Sequence, residues 1–152
     1  MSDVTKNIDF VRQVTLDTIS DTTIGLSPIH GFGLFLTKSK LANTIIGKLD
    51  GQFMSESDYN YINSLISPEV DRYKNYFFME CTYLEDNMVL VRSLRTKYSY
   101  INHSRSPNIK IDFNSMELVT LCDLDSGTEL LIDYRKEWLP ETYTRSEKGK
   151  YL

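Results

Sequence analysis

The sequence predicts a mostly β domain, a β-rich member of the α+β class, with one short helix. Three observations carry this. Short runs of β-branched, aromatic and aliphatic residues recur along the chain, bounded by Gly, Pro, Asn, Asp or Ser, and about eight of them read as strands. Only one stretch, from Ser55, opens like a helix. The chain has 152 residues with no internal repeat and no linker composition, so a single domain over 1–152 is expected, at a size where folding buries roughly 70% of the unfolded surface.

In chain order, Phe10 to Leu16 alternates loosely and reads as a first strand. Thr22 to Leu26 is a second, closed by the Ser27-Pro28 turn signal. His30-Gly31-Phe32-Gly33 follows and leads into a strand over Leu34 to Thr37. Two glycines around one aromatic let the backbone take positive φ and approach a ligand closely. No third glycine and no helix follow, so this is not a dinucleotide fingerprint or a phosphate cradle. Leu41 to Gly51 is β-branched at its centre and reads as another strand.

Ser55-Glu56-Ser57-Asp58 is a helix N-terminus with acidic residues in the first turn, and the helix is expected to stop before Pro68. Residues 67–75 read as loop. Tyr76 to Leu84 and Met88 to Val91 read as two strands joined by the turn Glu85-Asp86-Asn87. An apolar, aromatic run around Tyr98, Tyr100 and Ile101 ends abruptly in the polar loop Asn102-His103-Ser104-Arg105-Ser106-Pro107-Asn108. Ile109 to Phe113 and Glu117 to Leu121 form a hairpin across a two-residue turn at Asn114-Ser115. Leu130 to Ile132 is a short buried strand ending at Asp133-Tyr134. The tail from Arg135 to Leu152 reads as a short helix and a frayed end, with Trp138 and Tyr143 embedded in it.

Hydrophobic and charged fractions of 41% and 25% are those of an ordinary globular protein. The net charge of −4 argues against nucleic-acid binding through a basic face and mildly favours a partner rich in Lys or Arg. Cys81 and Cys122 form no CxxC pair, so buried free thiols in a reducing compartment are expected and no metal site is. No long apolar run marks a signal peptide or membrane span. A soluble, intracellular protein is the expectation.

Three pieces carry chemistry in this order: His30-Gly31-Phe32-Gly33-Leu34-Phe35, then Ile101-Asn102-His103-Ser104, then Gly127-Thr128-Glu129-Leu130-Leu131-Ile132-Asp133-Tyr134. Asn102 and His103 together offer an amide and an imidazole, able to donate and accept. In this order and spacing the pieces resemble the SET-domain family of protein-lysine methyltransferases, over about residues 22–138, with 139–152 as a C-terminal tail.

The resemblance implies several small sheets around a pseudoknot, in which the C-terminal segment threads beneath the loop after the Asn-His-Ser motif. It implies S-adenosylmethionine as cofactor, with backbone groups of Gly31, Phe32 and Gly33 beside it. Asn102 and His103 would hold its two ends, and Trp138 would cover its adenine. Tyr134 would be the catalytic tyrosine and a cofactor contact. The partner implied is a protein with an accessible lysine, such as one on a basic tail, with no direct nucleic acid and no membrane.

Departures from the family pattern are specific. Lys48-Leu49-Asp50-Gly51-Gln52 places Leu49 where family members often carry an active-site tyrosine. Tyr76, Tyr98 or Tyr100 would then line the substrate channel, although Tyr98 and Tyr100 read equally as packing residues. Ser99-Tyr100 replaces the common Arg-Phe. Arg105 stands where a zinc-binding Cys is common, and the Cys-rich tail that completes that zinc site is missing too. These departures leave two readings: an active lysine methyltransferase, or a SET-fold interaction module that no longer turns over.

Overall fold

The computed structural model describes residues 6–65 and 80–152. In chain order its principal elements are α1 (Ile8–Val14), β1 (Thr22–Leu26), β2 (Phe32–Leu36), β3 (Ile45–Lys48), β4 (Gln52–Ser55), α2 (Glu56–Ser64), β5 (Glu80–Tyr83), β6 (Met88–Arg92), β7 (Asn102–His103), β8 (Ile109–Asp112), β9 (Glu117–Thr120) and β10 (Leu131–Ile132). The chain divides into two compact units, each built from two separate segments: Met1–Leu49 with Thr96–Asp133, and Asp50–Arg95 with Tyr134–Leu152. The β-rich architecture of small sheets is the one expected from the sequence.

In the first unit β1 and β2 form an antiparallel hairpin in which Leu26 faces Phe32, so its loop is residues 27–31. A second sheet has the order β3-β9-β8. In this unit Leu34 of β2, Ile109 of β8, Leu118 of β9 and Leu130 are fully enclosed, each contributing about 1.5–3 kcal/mol of hydrophobic stabilisation. Three local readings change. The segment read as a first strand is α1, because the Asn7 side chain accepts from the N–H groups of Asp9 and Phe10, both at 3.1 Å, and caps a helix. Only Val11 of that helix is buried, so it has no apolar stripe to betray it. The aromatic run before Asn102 is a 3-10 turn, Lys97–Tyr100, with the Thr96 N–H donating to Ser99 Oγ at 3.3 Å. The β8–β9 loop spans 113–116, since Asp112 pairs with Glu117, and Met116 takes φ +56°.

Lys38 and Lys40 flank Asp21, each with its ammonium 2.7 Å from a carboxylate oxygen. Hydrogen bonds first from Lys38 and then from Lys40 hold the Asp21 carboxyl down to about 2. The folded value lies below the ordinary one, so the stabilisation is present above the ordinary value and is lost as pH falls towards about 2. Thermal unfolding between about pH 5 and pH 2 should therefore show a steeper loss for the wild type than for Asp21→Asn. Parallel curves would remove Asp21 from the acid response.

β10 pairs in parallel with β7, Leu131 facing Asn102 and Ile132 facing His103. The Ser104 N–H donates to the Ile132 carbonyl at 2.9 Å, and the Asn108 N–H to the Leu131 carbonyl at 3.1 Å. The Asn108 side chain adds a bond in each direction, donating to the Glu129 carbonyl at 2.7 Å and accepting from the Leu131 N–H at 2.8 Å. On its other flank the Leu130 N–H donates to the Leu34 carbonyl at 2.7 Å. Segment 129–132 is thus held along the 102–108 loop, the kind of contact a pseudoknot requires. Asn108→Ala strips partners from two half-buried backbone groups and should cost about 1–2 kcal/mol in denaturant unfolding. An unchanged midpoint would show that the loop does not depend on this side chain.

The second unit holds the antiparallel sheet β4-β6-β5, with Val89, Leu90, Val91 and Arg92 of the central strand buried. Arg92 donates from Nη2 to Thr82 Oγ1 at 2.8 Å and from Nη1 to the Asp50 carbonyl at 3.2 Å, which offsets the cost of enclosing a cation. α2 begins at the expected cap: Ser55 Oγ accepts from the Asp58 N–H at 3.1 Å. It ends at Ser64, with Leu65 as its C-cap, before Pro68 as expected, whereas the loop at 67–75 and the strand residues 76–79 lie outside the described residues. The tail makes a helix, Glu141–Thr144, and a 3-10 turn, Glu147–Gly149. Among the described residues no helix is long and apolar enough to cross a membrane.

Candidate active site

The first of the three sequence pieces sits at the β1–β2 turn. Ser27 shapes that turn: its Oγ accepts from the N–H groups of Ile29 at 3.0 Å and His30 at 3.2 Å, and its own N–H donates to the Gly31 carbonyl at 2.9 Å. Gly31 has φ +52° and nothing within 4 Å of where a Cβ would stand. Gly33 is different. It lies within β2, and a Cβ there would collide with Glu129 Oε1 and come within 2.8 Å of Glu129 Cδ.

Asn102 ties the pieces together. Its Nδ2 donates to Glu129 Oε1 at 2.8 Å and to the carbonyls of Phe32 at 3.2 Å and His30 at 3.3 Å. Two hydrogens meet three acceptors, so the shorter, charge-assisted bond takes one and the carbonyls share the other. The sequence suggested an Asn aimed at a ligand. The structure gives it a second task, holding the glycine turn in place. Glu129 stands in the third sequence piece, in the pattern Glu129-Leu130-x-x-Asp133-Tyr134, but the sequence gives it no role of its own. Its signal was the side-chain-free Gly33, whose partner could not be guessed.

His103 lies next to Asp133, Nδ1 to Oδ1 3.9 Å, with side chains only 8% and 6% exposed. That separation allows an ion pair and is too long for a direct hydrogen bond. The first unit therefore brings Gly31, Phe32, Gly33, Asn102 and His103 into one neighbourhood with Glu129 and Asp133. Tyr98 and Tyr100 are buried in the same unit, 7% and 6% exposed. Leu49 is buried too, its N–H donating to the Met116 carbonyl at 2.7 Å. Tyr76 lies outside the described residues.

Tyr134 belongs to the second unit. It is half-buried and opens a 3-10 turn, Tyr134–Lys136, with the Glu137 N–H donating to its carbonyl at 3.1 Å. Two bonds moor this turn to the end of β5. The Trp138 N–H donates to the Tyr83 carbonyl at 3.4 Å, and Glu137 Oε2 accepts from the Tyr83 N–H at 3.3 Å. Trp138 itself is 46% exposed. Contrary to the expected burial of both thiols, Cys122 is exposed and Cys81 only partly buried. Burial still pushes the Cys81 thiol and the Tyr83 hydroxyl above their ordinary values, so both remain neutral beside the moored turn.

The SET-domain family model matches residues 31–135, most of the chain. This chain belongs to the SET-domain family. No curated protein matches it closely enough to count as a relative. SET domains are typically protein-lysine methyltransferases that use S-adenosylmethionine.

The residues present fit that cofactor. Open space at Gly31 admits a ligand against bare backbone, and the carboxylates of Glu129 and Asp133 are suited to a molecule carrying sulfonium and ammonium charges. The imidazole of His103 and the carbonyl oxygen of Asn102 add polar groups able to recognise an amino-acid or adenine end. Among the described residues no group of three or more His, Cys, Asp or Glu is placed to hold a metal ion.

Proposed function

We propose that this chain methylates a lysine side-chain amine of a protein, using S-adenosylmethionine. The observation that carries the reading is the Asn102 clasp, which joins the glycine turn, the Asn-His pair and Glu129 of the third piece. A loop locked this way is preorganised and loses little freedom when a ligand arrives.

When bound, the cofactor supplies an electron-poor methyl group for in-line displacement by an amine. The chain's own residues then have defined tasks. Gly31, Phe32 and Gly33 offer backbone groups, and Asn102 and His103 hold the cofactor's polar ends. Tyr134 acts on the nucleophile. A lysine amine, ordinarily protonated up to about pH 10.4, must present a free lone pair, and an apolar wall disfavours its charged form. The Tyr134 ring provides such a wall while its hydroxyl orients the nitrogen. Trp138 covers the adenine. The partner is a protein exposing lysine on a flexible or basic segment, in keeping with a net charge of −4.

Incubation with methyl-labelled cofactor and a panel of lysine-rich proteins tests the reading. Label should appear on lysine of at least one partner and vanish with Asn102→Ala. Cofactor binding without transfer to any partner or to the proteome of cells lacking this protein would favour an interaction module instead.

A further inference from the structure

The tail lies beyond the family match, which ends at residue 135, yet it returns to Tyr134. The Tyr151 ring stands edge-on to the Tyr134 ring, with centroids 6.4 Å apart and planes at 85°. This is a favoured arrangement for two aromatic rings, positive edge against negative face. The path that delivers Tyr151 is built with care. After helix Glu141–Thr144 the Ser146 N–H and Oγ both donate to the Tyr143 carbonyl, at 3.0 and 2.7 Å, and turn the chain. Gly149 then packs against that helix, where a Cβ would lie 2.5 Å from the Tyr143 carbonyl oxygen and 2.8 Å from Thr144 Cα. Backbone cannot yield as a flexible side chain can, so only glycine closes this turn. Finally the hydroxyls of Tyr143 and Tyr151 share a hydrogen bond of 2.9 Å. Burial holds the Tyr151 hydroxyl above its ordinary value, so it stays neutral.

We infer that Tyr151 is a positioning residue for Tyr134, its ring fixing the Tyr134 ring in one orientation. The inference rests on the reading of Tyr134 as the residue that orients the amine. A half-buried ring with no edge partner samples more than one orientation, and small misplacements near the reacting atoms cost rate out of proportion to their size. A frayed tail would contribute nothing of this kind.

Three variants test it. Tyr151→Ala removes the ring. Gly149→Ala displaces the turn while leaving Tyr151 itself intact. Tyr151→Phe keeps the ring and deletes only the hydroxyl. The first two should lower kcat about tenfold at unchanged cofactor affinity, and Tyr151→Phe should keep most of the wild-type rate. A second readout needs no turnover: in protein carrying ring-labelled tyrosine, the Tyr134 signal (identified by its loss in Tyr134→Phe) should move in Tyr151→Ala and stay near its place in Tyr151→Phe. If Tyr151→Ala does not fold, Tyr151→Leu fills the space without an aromatic edge and should show the same changes. An unmoved Tyr134 signal, or a moved signal with wild-type kcat, overturns the inference. The two levels separate cleanly. An inactive Tyr134→Phe beside a fully active Tyr151→Ala sinks this inference alone, whereas a fully active Tyr134→Phe sinks the assignment beneath it.

Discussion

Tyr134→Phe should lower methyl transfer about 100-fold while cofactor affinity and folding stay close to wild type. The substitution deletes one hydroxyl and keeps the ring, so the edge contact with Tyr151 is preserved. The turn it sits in is held by backbone bonds from Glu137 and Trp138 that do not involve the hydroxyl. Stability should therefore change little, as is usual for a small change at a half-buried site. If the hydroxyl orients the amine chiefly at the transition state, its loss appears in kcat and not in substrate or cofactor binding. A 100-fold loss corresponds to about 2.7 kcal/mol, within the range of one well-placed polar group. Steady-state kinetics on the best protein substrate, with calorimetric cofactor affinity alongside, decides the matter. Wild-type turnover in Tyr134→Phe would reduce Tyr134 to a packing aromatic at a strand end.

The parts of this molecule that were legible in its sequence are those where residue type alone limits the chemistry. Glycines around Phe32, an amide beside an imidazole at 102–103 and a strand ending in Asp133-Tyr134 announce themselves, and the family match covers all three. Strands with alternating burial were legible as well: β8 buries Ile109 and Ile111 and exposes Lys110. What failed was local structure decided by a single cap. α1 rests on Asn7 and buries only Val11, so its β-branched residues looked like a strand. The turn at Lys97–Tyr100 carries two buried tyrosines in a segment whose composition favours strand, and tertiary packing overrides that preference. Pairings between distant residues were not legible at all. Nothing near Gly33 says that Glu129 occupies its missing side chain, and nothing near Tyr134 points to Tyr151. In both cases the trace left in the sequence is a glycine, at 33 and at 149, which marks where space is needed without saying for what.

That trace makes Gly33→Ala the sharpest probe of the cofactor side. The added methyl would stand where the Glu129 carboxylate now lies, with Ser27 Cβ 3.1 Å away on another side. Glu129 is flexible and its carboxylate is a far end, so it can swing aside and let the fold survive. Its 2.8 Å bond with Asn102 cannot survive that movement. A hydrogen bond to a charged group contributes about 1.5–3 kcal/mol. Much of it would be lost from the clasp that holds the glycine turn. If that preorganisation serves cofactor binding, affinity should fall about 10- to 100-fold by titration calorimetry. The stabilisation given by cofactor at 100 times its wild-type Kd, about 2.7 kcal/mol for the native chain, should shrink in step. Asn102→Ala breaks the same link from the other end. The double variant Gly33→Ala/Asn102→Ala should therefore be little worse than Asn102→Ala alone, because two changes that cut one connection are not additive. Fully additive losses would mean that Gly33 and Asn102 act separately and that the clasp is not a unit. Wild-type affinity in Gly33→Ala would show that the turn binds the cofactor without needing Glu129 where it stands.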